Sequence, residues 1–181
     1  MRVLGVDPGS AVCGYGIIED TGDGLVHIES GTIDVPRALL LPSKLKTVFD
    51  GLRVVIERSR PTCMSIENVF FARNARSSLK LGEARGVAIL AAAMFELPVY
   101  EYAPTQVKLA VTGKGRANKT EVGKILTILF NREGWEKTDA SDAVAIAVCH
   151  IHMQETKNLL GGHTIRSRGR RRRFRANDFP S

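Results

Sequence analysis

Cysteine is scarce in this sequence: three in 181 residues, Cys13, Cys63 and Cys149, each inside an apolar run and none at a metal-site spacing. An odd, scattered set sets aside a disulfide-stapled module and reads as buried, reduced thiols of a cytosolic protein. No apolar run is long enough to span a bilayer, and the N-terminus lacks the extended apolar region of a signal peptide, so no membrane association is expected. Nor is there an internal repeat, which argues against folds built from duplicated halves.

What is present is ordinary globular material. Hydrophobic residues make up 44% and charged residues 25%, the composition of one soluble domain with a full core. The net charge of +7 is uneven: residues 161–181 hold seven arginines and one aspartate, which accounts for +6. Basic character is therefore mainly a property of the C-terminal tail. Its composition predicts disorder and non-specific affinity for nucleic acid. The expected organisation is one domain over 1–157 and an Arg-rich tail over 158–181.

Val, Ile, Leu and Tyr in residues 2–7, 13–19 and 25–35, separated by Pro8-Gly9-Ser10 and Thr21-Gly22-Asp23-Gly24, predict an antiparallel meander. Pro42 opens a helix with Leu45, Val48, Leu52 and Val55 at helical spacing. A short strand at 62–67 and a helix at 76–95 follow. Next come a strand at 98–102, short helices from Pro104 and about Asn118, and a final helix from about Thr138 to Met153. A meander followed by alternating helices and strands indicates an α/β fold with a mixed sheet.

Four acids sit where apolar runs stop: Asp7, Glu67, Asp139 and Asp142. Taken singly, Asp7, Asp139 and Asp142 each have a plain structural explanation. Asp7 precedes a turn whose amides it could accept, and Asp139 or Thr138 could cap the last helix. Asp139 and Asp142, three apart, share a helix face, and the body that follows, Ala-Val-Ala-Ile-Ala-Val, is wholly apolar. Glu67 ends Met64-Ser65-Ile66, where a carboxylate is costly unless paired or metal-bound. Carboxylates drawn together raise one another's pKa, and hard oxygen donors suit Mg²⁺ or Mn²⁺. A metal site is the reading that covers all four.

The segment Val69-Phe70-Phe71-Ala72-Arg73-Asn74-Ala75-Arg76 places two aromatics beside Arg73 and Arg76. Two adjacent Phe do not both point inward from a short connection, and an exposed one suits stacking on an unpaired base. Lys80, Lys108, Lys114, Arg116 and Lys119 add charge in segments leading back towards the acids. A phosphate loop of the actin and sugar-kinase kind would also begin with a strand and Asp-Pro-Gly-Ser, but it needs two duplicated domains, for which the chain is too short.

The ordered set Gly5-Val-Asp-Pro-Gly-Ser10, Gly14-Tyr-Gly16, Ile66-Glu-Asn-Val-Phe70, Asn74, Leu79-Lys-Leu-Gly-Glu-Ala-Arg-Gly86, Glu101-Tyr102, Val107-Lys108 and Asp139-Ala-Ser-Asp142-Ala resembles RuvC-type Holliday-junction resolvases over residues 1 to about 155. The resemblance implies an RNase H-like fold and a homodimer, in the cytoplasm at the nucleoid, that cuts four-way DNA junctions symmetrically. It implies Asp7, Glu67, Asp139 and Asp142 as catalytic acids holding two Mg²⁺ ions, with Mn²⁺ a possible substitute. It also implies Phe70 as the aromatic engaging bases, Lys108 and Lys119 beside the scissile phosphate, and a branch-migration helicase as partner. The small residues of the 76–95 helix are the candidate dimer face. An RNA–DNA hybrid nuclease and a non-catalytic junction scaffold are the alternative classes.

Overall fold

Residues 1–9, 11–68, 75–135 and 138–161 are described by a computed structural model of the chain. Among them the first three strands, β1 (Arg2–Asp7), β2 (Val12–Asp20) and β3 (Leu25–Asp34), form the expected meander. The helix α1 (Leu41–Ser59) then crosses to β4 (Cys63–Glu67), and α2 (Ala75–Met94) to β5 (Val99–Tyr102). Both later strands run parallel, β4 on β1 and β5 on β4. The resulting order β3-β2-β1-β4-β5 puts β1 at the centre. The helices α3 (Pro104–Thr112), α4 (Lys119–Phe130) and α5 (Asp139–Gly161) complete the described fold.

Strand periodicity distributes the chain between two cores, one on each face of the sheet. Leu4 and Val6 of β1, with Met64 and Ile66 of β4, pack on Leu52 and Val55 of α1 and on Ala88 and Ala91 of α2. Val3 and Cys63, of opposite parity, join Ala145 to Cys149 of α5 and Val107, Val122 and Leu126 of α3 and α4. Residues 3, 5 and 7 of β1 and 63, 65 and 67 of β4 therefore share the α5 side, as the hydrogen bond from Ser65 Oγ to the Ile146 carbonyl shows.

Local chemistry sets the helix ends. Pro42 stands in the first turn of α1, and Arg60 closes that helix in the left-handed region. Asn118 begins α4 with a reciprocal cap: its side chain accepts from the Glu121 amide, and Glu121 accepts from its own. The last helix is longer than periodicity predicts, continuing eight residues beyond Met153 to Gly161. Residues 155–159 are exposed, so they carry no apolar spacing to betray a helix, and the Thr156 hydroxyl donates back to the His152 carbonyl. Residues 162–181, which hold the arginine run, lie outside the described residues. All three cysteines are free and buried.

Candidate metal centre

Three glycines decide how closely α5 lies on the sheet. Gly5 and Gly16 face each other across β1 and β2, and Gly14 faces Asp7. A Cβ at Gly5 would stand 2.0 Å from the Ala143 carbonyl oxygen, and one at Gly14 2.1 Å from that of Asp139. At Gly16 it would meet Val144. The first two turns of α5 thus rest directly on backbone, an approach only glycine permits. That seat carries Asp139 and Asp142 to the C-terminal end of β1, where Asp7 projects towards the same helix.

Carboxylate oxygens of Asp7, Asp139 and Asp142 come within 4.8 Å of one another. Capping does not occupy the two helical acids, because Thr138 does that work: its Oγ1 accepts from the Ser141 amide at 3.1 Å, and Ser141 Oγ donates to the Thr138 carbonyl at 2.7 Å. Glu67, on the adjacent strand end and the same face, is not one of the close three. It lines with Asp7 and Asp142 a cleft of about 300 Å³, together with Lys108 and Lys119.

The electrostatics are those of a site short of positive charge. Burial, and then the carboxylates of Asp142, Glu67 and Asp139, push Asp7 up to about 7, with Lys119 opposing. Glu67 is raised by burial and by Asp142, against Lys119 and Lys108. Lys119, in the first turn of α4, donates to Asp142, and that hydrogen bond raises its own pKa. Oxygen donors at this spacing, two of the three half-buried and all mutually repulsive, fit a hard divalent cation.

The predicted site residues thus divide. Asp7, Glu67, Asp142, Lys108 and Lys119 line one cleft, and Asp139 adjoins it through Asp7 and Asp142. Lys114 and Arg116 sit exposed in the α3–α4 connection, outside its lining, and Lys80 lines a neighbouring groove. Phe70 and Arg73 lie outside the described residues, and Arg76 is placed by backbone alone, in the first turn of α2. The glycine seat escaped the residue-by-residue reading, although Gly5 in one apolar strand and Gly14 and Gly16, two apart, in the next were its signal. So did a buried cluster between β4, β5 and α5. There Tyr102 Oη and His150 Nδ1 lie 2.8 Å apart, and Cys63 Sγ and His150 Nε2 3.4 Å apart.

The family model described as Crossover junction endodeoxyribonuclease RuvC matches residues 3–150. The protein of that name from Pelobacter propionicus is 52% identical over 152 residues, covering 84% of this chain and 86% of that one. Its counterpart from Geobacter sulfurreducens is 48% identical over 160 residues, covering 88% and 98%. Among solved structures, T. thermophilus RuvC in complex with a Holliday junction substrate superposes with a TM-score of 0.81 at 28% identity, covering 86% of this chain and 96% of that one. The yeast mitochondrial Holliday junction resolvase, at 14% identity and TM-score 0.65 over 89% and 83%, shares the fold.

Proposed function

The chain belongs to the crossover junction endodeoxyribonuclease RuvC family, and from that membership we propose that it resolves four-way DNA junctions in recombination and repair by paired, metal-dependent phosphodiester hydrolysis. The observation that carries the reading is the convergence of Asp7, Asp139 and Asp142 at the end of the central strand, in a chain whose relatives bear that enzyme's name.

Asp7, Asp139 and Asp142, with Glu67 beside them, would hold a pair of Mg²⁺ ions; Mn²⁺ has the same donor preference. Such a pair supplies an activated water and charge neutralisation for the attacking and leaving oxygens. The protein's own residues do the rest. Asp7 must be ionised to bind, so cleavage rises with pH through the range where its carboxyl loses its proton. Lys119 and Lys108, on the cleft wall, neutralise non-bridging phosphate oxygens and orient the strand. The glycine seat holds the acids of α5 against β1, so the donor set is organised before substrate arrives.

Symmetric cleavage needs two sites related by a two-fold axis. Gly82, Gly86, Leu90, Ala93 and Met94 form an exposed stripe of small and apolar residues along α2, opposite the face carrying Ala88 and Ala91 into the core. This is our candidate for the homodimer contact. No described helix is long and apolar enough to cross a membrane. Junction DNA would hold the protein at the nucleoid, with a branch-migration helicase as partner and the Arg-rich tail adding non-specific affinity.

The test is incubation with a labelled four-way junction, a matched duplex and an RNA–DNA hybrid, in Mg²⁺ and in EDTA. Paired nicks on the junction alone, abolished by EDTA and by Asp7→Asn, are expected. Preferential cutting of the hybrid, or junction binding without cleavage in either Mg²⁺ or Mn²⁺, would refute the reading.

A further inference from the structure

A groove of about 510 Å³ runs beside the acid cleft, between the β1–β2 connection, the β3–α1 connection and the N-terminal half of α2. Its lining starts at Gly9, two residues past Asp7. One wall is the run Leu39-Leu40-Leu41, in which Leu40 is 79% exposed, and Leu79 of α2 faces the same space at 65% exposure. Consecutive leucines left in water forgo the burial that normally places them, and a contiguous apolar patch of this kind marks a binding surface.

Charge narrows the choice of occupant. Arg37, Lys44 and Lys80 stand around the groove, with Glu83 the single acid among the described residues of its lining. Among the described residues, no ion pair engages any of these three cations. A second copy of the chain would cover the leucines, but a patch meeting itself across a two-fold axis would bring like charges together. A strand of nucleic acid satisfies both features, since phosphates answer the cations and the faces of unpaired bases answer the aliphatic wall.

We propose that this groove holds an unpaired stretch of the DNA strand leaving the acid site past Gly9, with phosphates at Arg37, Lys44 and Lys80 and bases against Leu40 and Leu79. The inference rests on the junction-cleaving reading and adds a strand path to it. The loop before α1 would thus help select branched DNA, whose crossover offers unpaired bases, over duplex.

The probe is a photocrosslinking p-benzoylphenylalanine at position 40 of the full chain, irradiated with a labelled junction in EDTA. Cleavage by the wild-type chain in Mg²⁺ is followed in parallel. Adducts to DNA within a few nucleotides of the cut are expected. In a second measurement, Arg37→Gln/Lys44→Gln/Lys80→Gln flattens the slope of log Kd against log salt by about 2 to 3, since each phosphate contact contributes roughly 0.7 to 0.9. Protein–protein adducts, or no adduct together with an unchanged salt slope, would overturn the groove assignment while wild-type cleavage stood. If the wild type neither binds nor cuts the junction, the underlying reading fails instead.

Discussion

Replacing Asp7 by Asn stabilises the metal-free protein at neutral and alkaline pH, although it destroys the proposed centre. The folded state holds the Asp7 carboxyl at about 7, against 3.8 for an unperturbed aspartate. Between those values the folded chain keeps a proton that the unfolded chain has released. Stability therefore falls as pH rises through that window and levels off above about 7. A shift of roughly three units at 1.36 kcal/mol each sets a ceiling of about 4 kcal/mol. The amide must itself be desolvated, so about 2 kcal/mol is expected, or a rise in Tm of roughly 4–8 °C for a chain of this size. Thermal unfolding followed by circular dichroism in EDTA, from pH 4.5 to 8.5, should show the variant slightly the less stable of the two at the acid end and the more stable above neutrality. Millimolar Mg²⁺ should then close the gap by stabilising only the wild type. A variant less stable than wild type at pH 8 in EDTA, or a gap constant across the range, would show that the carboxylates are not in conflict.

Gly14→Ala should cost about 2 kcal/mol of stability and weaken Mn²⁺ binding by at least about tenfold, because its Cβ would meet the Asp139 carbonyl oxygen and push the acids of α5 outward. Titration calorimetry reads the binding, and wild-type affinity in a folded variant would remove the seat from the site. Lys119→Met removes the cation donating to Asp142. Mn²⁺ should then bind about fivefold more tightly, equivalent to roughly 1 kcal/mol, while cleavage slows; weaker Mn²⁺ binding would count against competition between lysine and ion. His150→Phe should cost about 1–2 kcal/mol at pH 7 by leaving the Tyr102 hydroxyl unpaired. Burial lowers His150 to about 4, so wild-type stability drops as pH falls below 6.5. The difference should shrink towards pH 5 in denaturant titrations; a widening gap would refute the neutral assignment.

Strand ends, turn chemistry and helix spacing made most of the architecture legible, because each element here follows its local rule. β1 alternates between two cores, Pro42 and Pro104 open helices, and Asn118 caps one with Glu121. The end of α5 was not legible, since residues 155–159 face solvent and periodicity reports only burial. The four acids were visible as residues stranded at the ends of apolar runs. Their division into a close three and an adjacent Glu67 was not, because it depends on how far α5 sinks into the sheet. Nor was the Cys63–His150–Tyr102 cluster, whose members come from three elements and share no local pattern.

That depth links stability to the proposed chemistry. A helix opening with two acids, set against a third and near a fourth, would drift outward unless its body were held. From Ala143 to Cys149 every residue of α5 is buried. The larger side chains, Val144, Ile146 and Val148, each contribute about 1.5–3 kcal/mol of apolar burial, comparable with the roughly 4 kcal/mol ceiling on the cost of ionising Asp7, which comes from its burial first and from the neighbouring carboxylates second. The packing that opposes the repulsion therefore lies on the helix that carries two of the repelling groups, within a turn or two of them. Truncating Ile146, 2% exposed, would loosen the donor set as well as the core. A distant core substitution of equal cost, such as one at the fully buried Leu52 of α1, would lower stability and leave metal affinity where it was. A pair of such variants matched in stability and compared in Mn²⁺ affinity separates a site held by its own helix from one held by the fold at large.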